Sequence, residues 1–232
     1  MKTKLWLFLA FCLIFPLVFQ PNAALAAPSA ELASPADVKL SYGLVRDSVD
    51  PQLFTAVVYP NFSSNDVTIS TASFTFLLPS GTTTSPSIAD APAMGALNNV
   101  NGTWTVQKLT PSVYASVGFN AADLSGSDVY QAVLSPGSAT PELVNGEALP
   151  LFSFRITDGC SDGAVQILTN DSSVQQALFN SLGANFNNQM SMSVNGMPAM
   201  DQYTENNPGG TSVLCTVGQD ANIRFFLPFV NR

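Results

Sequence analysis

The chain contains no histidine, so the side chains left that could do chemistry are carboxylates, thiols and thioethers, and aromatic rings. Without an imidazole, no Ser-His-Asp or Cys-His relay can be assembled and the usual histidine-rich zinc site is excluded. A glycosidase needs only two carboxyl groups, and Glu142, Glu147, Asp123 and Asp128 fall near loops, but no local motif marks a pair. The chain therefore reads as a non-enzyme. Oxygen ligands suit calcium best, and Asp158, Asp162 and Asp171, with Asn170, could converge on a structural calcium ion if the run between them is short. Asp-Gly turns form equally well without metal. No other cofactor is expected.

Trp104, Tyr114, Phe119 and Tyr130 come at about one aromatic per expected strand. Two uses compete: a platform on which sugar rings stack, with Trp104, Tyr114 and Tyr130 as the binding residues, or the filling of a sandwich core. Met190, Met192, Met197 and Met200 are similarly open to two uses, a thioether site for Cu(I) or adaptable packing. Asn61, Asn101 and Asn170 each begin an Asn-X-Ser/Thr acceptor pattern for glycosylation.

The thiols point to a compartment. Residues 1–26 have a basic start at Lys2 and Lys4, an apolar run over 5–19 and a small-x-small Ala24-Leu25-Ala26, the form of a signal peptide cleaved after Ala26. The run is shorter than the roughly 20 residues that a membrane span requires, so no span remains after cleavage. Cys12 leaves with this segment, and Cys160 and Cys215 are then an even pair in an oxidising compartment, expected as a disulfide. The predicted location is extracellular or at the cell surface. Net charge is −8 over the chain and becomes more negative once Lys2 and Lys4 are gone. Nucleic acid and anionic membranes are poor partners for such a surface.

The elements that must position these residues are short strands with turn signals between them. Residues 27–36 read as a flexible leader, 37–220 as the β domain and 221–232 as an apolar tail that pairs either in cis or with a neighbour. Alternation predicts strands at 38–45, 53–59, 67–70, 74–78, 103–108, 113–119, 129–134, 149–156, 164–168, 190–194 and 211–217. Within 149–156, Leu149, Leu151 and Ser153 fall on one face and Phe152, Phe154 and Ile156 on the other, a pattern for a strand near the middle of a sheet. Residues 82–95 read as a loop with few groups that could pack. Val174, Ala177, Leu178 and Leu182 repeat at helical spacing, with Asp171 or Ser172 able to cap the start and Gly183 the end. The fold class is all-β: a two-layer antiparallel, jelly-roll-like β-sandwich with one short helix and one disulfide.

The early strand pair, the Gly102-Thr103-Trp104 strand and the Leu-Phe-Ser-Phe run leading to Cys160 together resemble the cohesin-like and carbohydrate-binding-module-like sandwiches of secreted bacterial proteins. The resemblance implies non-catalytic work: an adhesion or scaffold domain that docks an extracellular protein partner through a sheet face or, as the alternative, a carbohydrate-binding module that uses exposed aromatics on a polysaccharide. The helix and the cysteine pair depart from ordinary cohesins.

Overall fold

The computed structural model describes residues 38–116, 124, 126–161 and 163–215. In chain order the elements begin with β1 (Leu40–Arg46), β2 (Leu53–Pro60), β3 (Val67–Pro79), β4 (Thr83–Ser85), β5 (Gly95–Ala96), β6 (Asn98–Asn99) and β7 (Trp104–Leu109). Then come α1 (Pro111–Ser116), β8 (Ser127–Leu134), β9 (Leu149–Asp158), β10 (Ala164–Ile167) and α2 (Ser173–Leu182). The series closes with β11 (Gln189–Val194), β12 (Met200–Asp201), β13 (Tyr203–Asn206) and β14 (Ser212–Leu214).

These strands form two sheets of a β-sandwich. The first has the order β13-β1-β2-β9-β4, with β6 also on β9; the second has the order β12-β11-β3-β8-β7-β5, with β10 pairing both β3 and β14. All pairs are antiparallel except β1 with β13. Aromatic rings hold the layers together: Tyr42 meets Phe74 at 4.8 Å, Phe154 stacks on Phe76 at 5.0 Å, and Phe152 packs against both Phe74 and Trp104. Each such pair adds about 0.5–1.5 kcal/mol beyond the area it buries.

The strand at 149–156 lies inside its sheet, between β2 and the short β4 and β6. Its two faces are not kept apart as strict alternation predicts. Ala56 pairs with Phe152 but Val57 pairs with Pro150, so Leu151 is the extra residue of a bulge. The bulge switches parity, and Leu149 and Leu151 turn into the same core as Phe152, Phe154 and Ile156. The same device unites the predicted strands 67–70 and 74–78 into the single β3. The register skips Ser70, so Val67 and Ile69 before it, and Ala72, Phe74, Phe76 and Leu78 after it, all face inward.

Residues 113–116 belong to helix α1 and not to a strand; 117–119 lie outside the described residues. Pro111 presets the helical φ at the first position, where its missing N–H costs nothing. The Tyr114 hydroxyl then bridges the strands beneath, donating to the Leu109 carbonyl at 2.6 Å and accepting from the Val129 amide at 2.9 Å. The stretch 82–95 is also more ordered into the fold than predicted: β4 pairs with β9, and Ile88 is buried in the main core.

Helix α2 starts and stops where its sequence says. The Ser172 side chain accepts from the Gln175 amide, and Gly183 closes the end in the left-handed conformation at φ 66°. Leu178 packs with Tyr114, Leu124, Leu168 and Phe186 over Leu109 and Val129, making a second, smaller core on the outer face of the second sheet. Cys160, just after β9 of the first sheet, is bonded to Cys215, just after β14 of the second, with Cα atoms 5.7 Å apart. The disulfide therefore ties the two layers together.

Candidate functional site

The aromatics singled out for sugar stacking are inside the molecule. Trp104 is 0% exposed, with its indole N–H donating to the Asn101 carbonyl at 2.8 Å. Tyr130 is buried with its ring stacked on Phe76 at 5.1 Å, and Tyr114 is buried in the second core. None of the three offers a face to a ligand, which corrects the expectation of exposed platform residues. Each lies on the strand or helix face whose burial makes the core, and alternation alone cannot tell a core ring from a surface ring on a two-sided sheet.

Of the three candidate calcium ligands, Asp158 and Asp171 are among the described residues. Asp158, at the exposed end of β9, accepts from the Gly159 amide at 2.7 Å. Asp171 lies beyond β10, just before α2. Asp162 lies outside the described residues. Among the described residues, no three His, Cys, Asp or Glu side chains are grouped to hold a metal. Met190 and Met192 fill the main core, whereas Met200 is half-exposed, so this methionine cluster is divided between packing and surface. Glu142 and Glu147 are exposed, Asp123 is not described, and the buried Asp128 is committed to structure.

Asp128 and Lys108 make the pair that sequence reasoning missed. The Lys108 ammonium is 3.2 Å from the Asp128 carboxylate and 3.5 Å from that of Asp90, and it lies 5.8 Å from the centre of the Tyr130 ring. Ser80 donates a further hydrogen bond to Asp128 at 2.8 Å. Lys108 and Tyr130 are register partners on β7 and β8, so a charged residue sits at the end of an apolar row. The only sequence signal was that lysine at an inward position of a strand.

Two surfaces remain as candidates for binding. The outer face of the first sheet carries Ser41 beside Tyr59, Val45 beside Thr55, and Thr55 beside Ser153. Tyr59 and Val57 close over Gly43, where a β-carbon would stand 2.8 Å from the tyrosine ring. Partial burial raises the Tyr59 phenol above its ordinary value. At its edge is a groove of about 290 Å³ lined by Lys39, Asn61, Asn145 and Glu205 as well as Tyr59. The outer face of the second sheet is different, because Leu77, Leu109 and Val129 lie under the two helices. Beside α2 is a second groove of about 320 Å³.

The fold and these surfaces define a class of protein, a disulfide-linked β-sandwich with a small helical layer over one sheet. Comparison with models of protein families, with curated proteins and with solved structures gives no match.

Proposed function

We propose that the chain is a secreted, non-catalytic binding domain of the cohesin-like kind, an adhesion or scaffold module that docks an extracellular protein partner on the outer face of its first sheet. The observation that carries this reading is the asymmetry of the sandwich. One outer face is covered over part of its area by a second core, leaving a strip with Val133 at 36% exposure, while the other carries no helical layer and presents small hydroxyl side chains, Val45 at 37% exposure and the half-exposed Tyr59. An uncovered sheet face of this kind favours shape-matched contact with another protein, with aromatic residues as anchors. The disulfide between the layers suits an extracellular setting. Among the described residues no helix is long and apolar enough to cross a membrane.

The test is capture from the source organism's own secreted proteins by the exported chain, compared with Thr55→Arg on the first sheet and Val133→Arg on the second. One partner retained by the parent and by Val133→Arg, but lost with Thr55→Arg, supports the reading. Equal capture by all three, or loss with Val133→Arg alone, overturns the assignment of the face. Sequencing the exported chain's N-terminus checks the export step, with Ala27 as the expected first residue.

A further inference from the structure

Helix α2 leaves one large apolar side chain without a core to enter. Val174, Leu178 and Leu182 point into the second core, but Phe179 is one position off that stripe and is 52% exposed. All the other described phenylalanines are buried. The ring forms part of the wall of the groove of about 320 Å³, and the remaining walls are amides and one carboxylate: Gln175, Gln176, Asn180, Asn185, Asn187 and Asp171. That volume is at the small end of ligand clefts, roughly 300–1,000 Å³.

Internal hydrogen bonds hold the groove in shape. With its side-chain amide rotated by 180°, the Gln175 oxygen would accept from the amides of Phe186 and Asn187 at 3.2 Å each. The Asn185 oxygen accepts from the Asn187 amide at 2.8 Å, and the Asn185 carbonyl accepts from Gln131 on β8 at 2.8 Å. Gln131 in turn accepts from Gln107 on β7 at 3.1 Å, so a lane of side-chain amides continues from the groove onto the open part of the sheet. The rim groups Asn180 and Asp171 are exposed and have side chains that make no hydrogen bond to another described residue.

We infer that this groove binds a neutral saccharide, with one sugar face against Phe179 and its hydroxyls on Asn180, Asn187 and Asp171. A hydroxyl both donates and accepts, and an amide supplies both functions side by side, while a carboxylate accepts from two neighbouring hydroxyls. The apolar C–H face of a pyranose ring matches an exposed aromatic face. No cation lines the groove, and the net charge of −8 opposes sulfated or phosphorylated glycans. This site is separate from the protein-docking face and does not depend on it.

The test uses the full chain titrated calorimetrically with neutral oligosaccharides of glucose, xylose, mannose and N-acetylglucosamine, with heparin as a polyanionic control. The expected result is millimolar or tighter binding to at least one neutral probe and none to heparin. Phe179→Ala should weaken it at least tenfold and Asn180→Ala several-fold, with melting temperatures unchanged because both side chains are exposed. Phe179→Tyr should retain binding, which separates loss of a stacking face from a change in fold. Absence of binding to every neutral probe, preference for heparin, or binding unaffected by Phe179→Ala overturns the inference.

Discussion

Among the described residues, the most demanding side-chain interaction is the ion pair of Lys108 with Asp128. Asp128 is 1% exposed, so its charge depends on the ammonium and on Ser80 for what water would otherwise supply. Removing the lysine strands a buried carboxylate, which costs about 3–5 kcal/mol, whereas removing both charges together is much cheaper. Lys108→Met is therefore expected to lower stability by that amount in urea unfolding, and Lys108→Met with Asp128→Asn to recover most of it; an additive loss would contradict the coupling. The five tyrosines respond to pH in one direction. Burial raises the phenols of Tyr42, Tyr114, Tyr130 and Tyr59, and pushes that of Tyr203 up to about 12. A folded-state value above that of the unfolded chain means that stability is intact below pH 10 and is lost as pH rises through the folded values. Phenolate absorbance should accordingly appear in step with unfolding; normal titration of most tyrosines in the folded chain would contradict it. At the acid end, Asp47 is held below the usual carboxylate value by hydrogen bonds from the amides of Asp50 and Val49, but it is fully exposed and contributes little.

Helix α2 illustrates how much an element can be specified locally. Its cap at Ser172, its stop at Gly183 and its apolar stripe all agree, and all were visible in sequence. Gly183→Ala forces an L-residue into the left-handed region and should cost about 1–2 kcal/mol. Leu178→Ala, in the second core, should cost about 2–5 kcal/mol. If the helical layer is one cooperative unit, both variants should raise hydrogen exchange over α1, α2 and residues 185–188 before it rises in β3 or β9. Uniform exchange across the sheets would show that the layer does not open separately. Helix α1 is the opposite case. Val113 and Tyr114 favour strand by propensity, and the helix exists because Tyr114 finds its hydroxyl partners on β7 and β8, a contact that no local pattern announces. The bulges at Ser70 and Leu151 belong with it, since parity along a strand changes only where a neighbouring strand fixes the register.

For the whole molecule, the disulfide closes 55 residues of chain and joins the ends of the two sheets. In the chain-entropy model this loop is worth about 4 kcal/mol. Cys160→Ser with Cys215→Ser should lower stability by roughly that amount while leaving the strands' circular dichroism intact; an unchanged midpoint of denaturation would contradict a stabilising role. The cysteine pairing, the apolar alternation, the helix signals and the lack of histidine determined the sandwich class, the clamp and the exclusion of imidazole chemistry. These are properties of composition and short-range periodicity, which sequence carries directly. Which aromatics are core and which are surface was decided only in three dimensions: Trp104, Tyr114 and Tyr130 are inside, and Phe179, which no pattern distinguished, stands beside a groove. The same is true of Lys108 and Asp128, distant in sequence but adjacent across β7 and β8. Burial and convergence depend on which faces of different elements meet, and that follows from register and layer packing, which are set by contacts between segments distant along the chain.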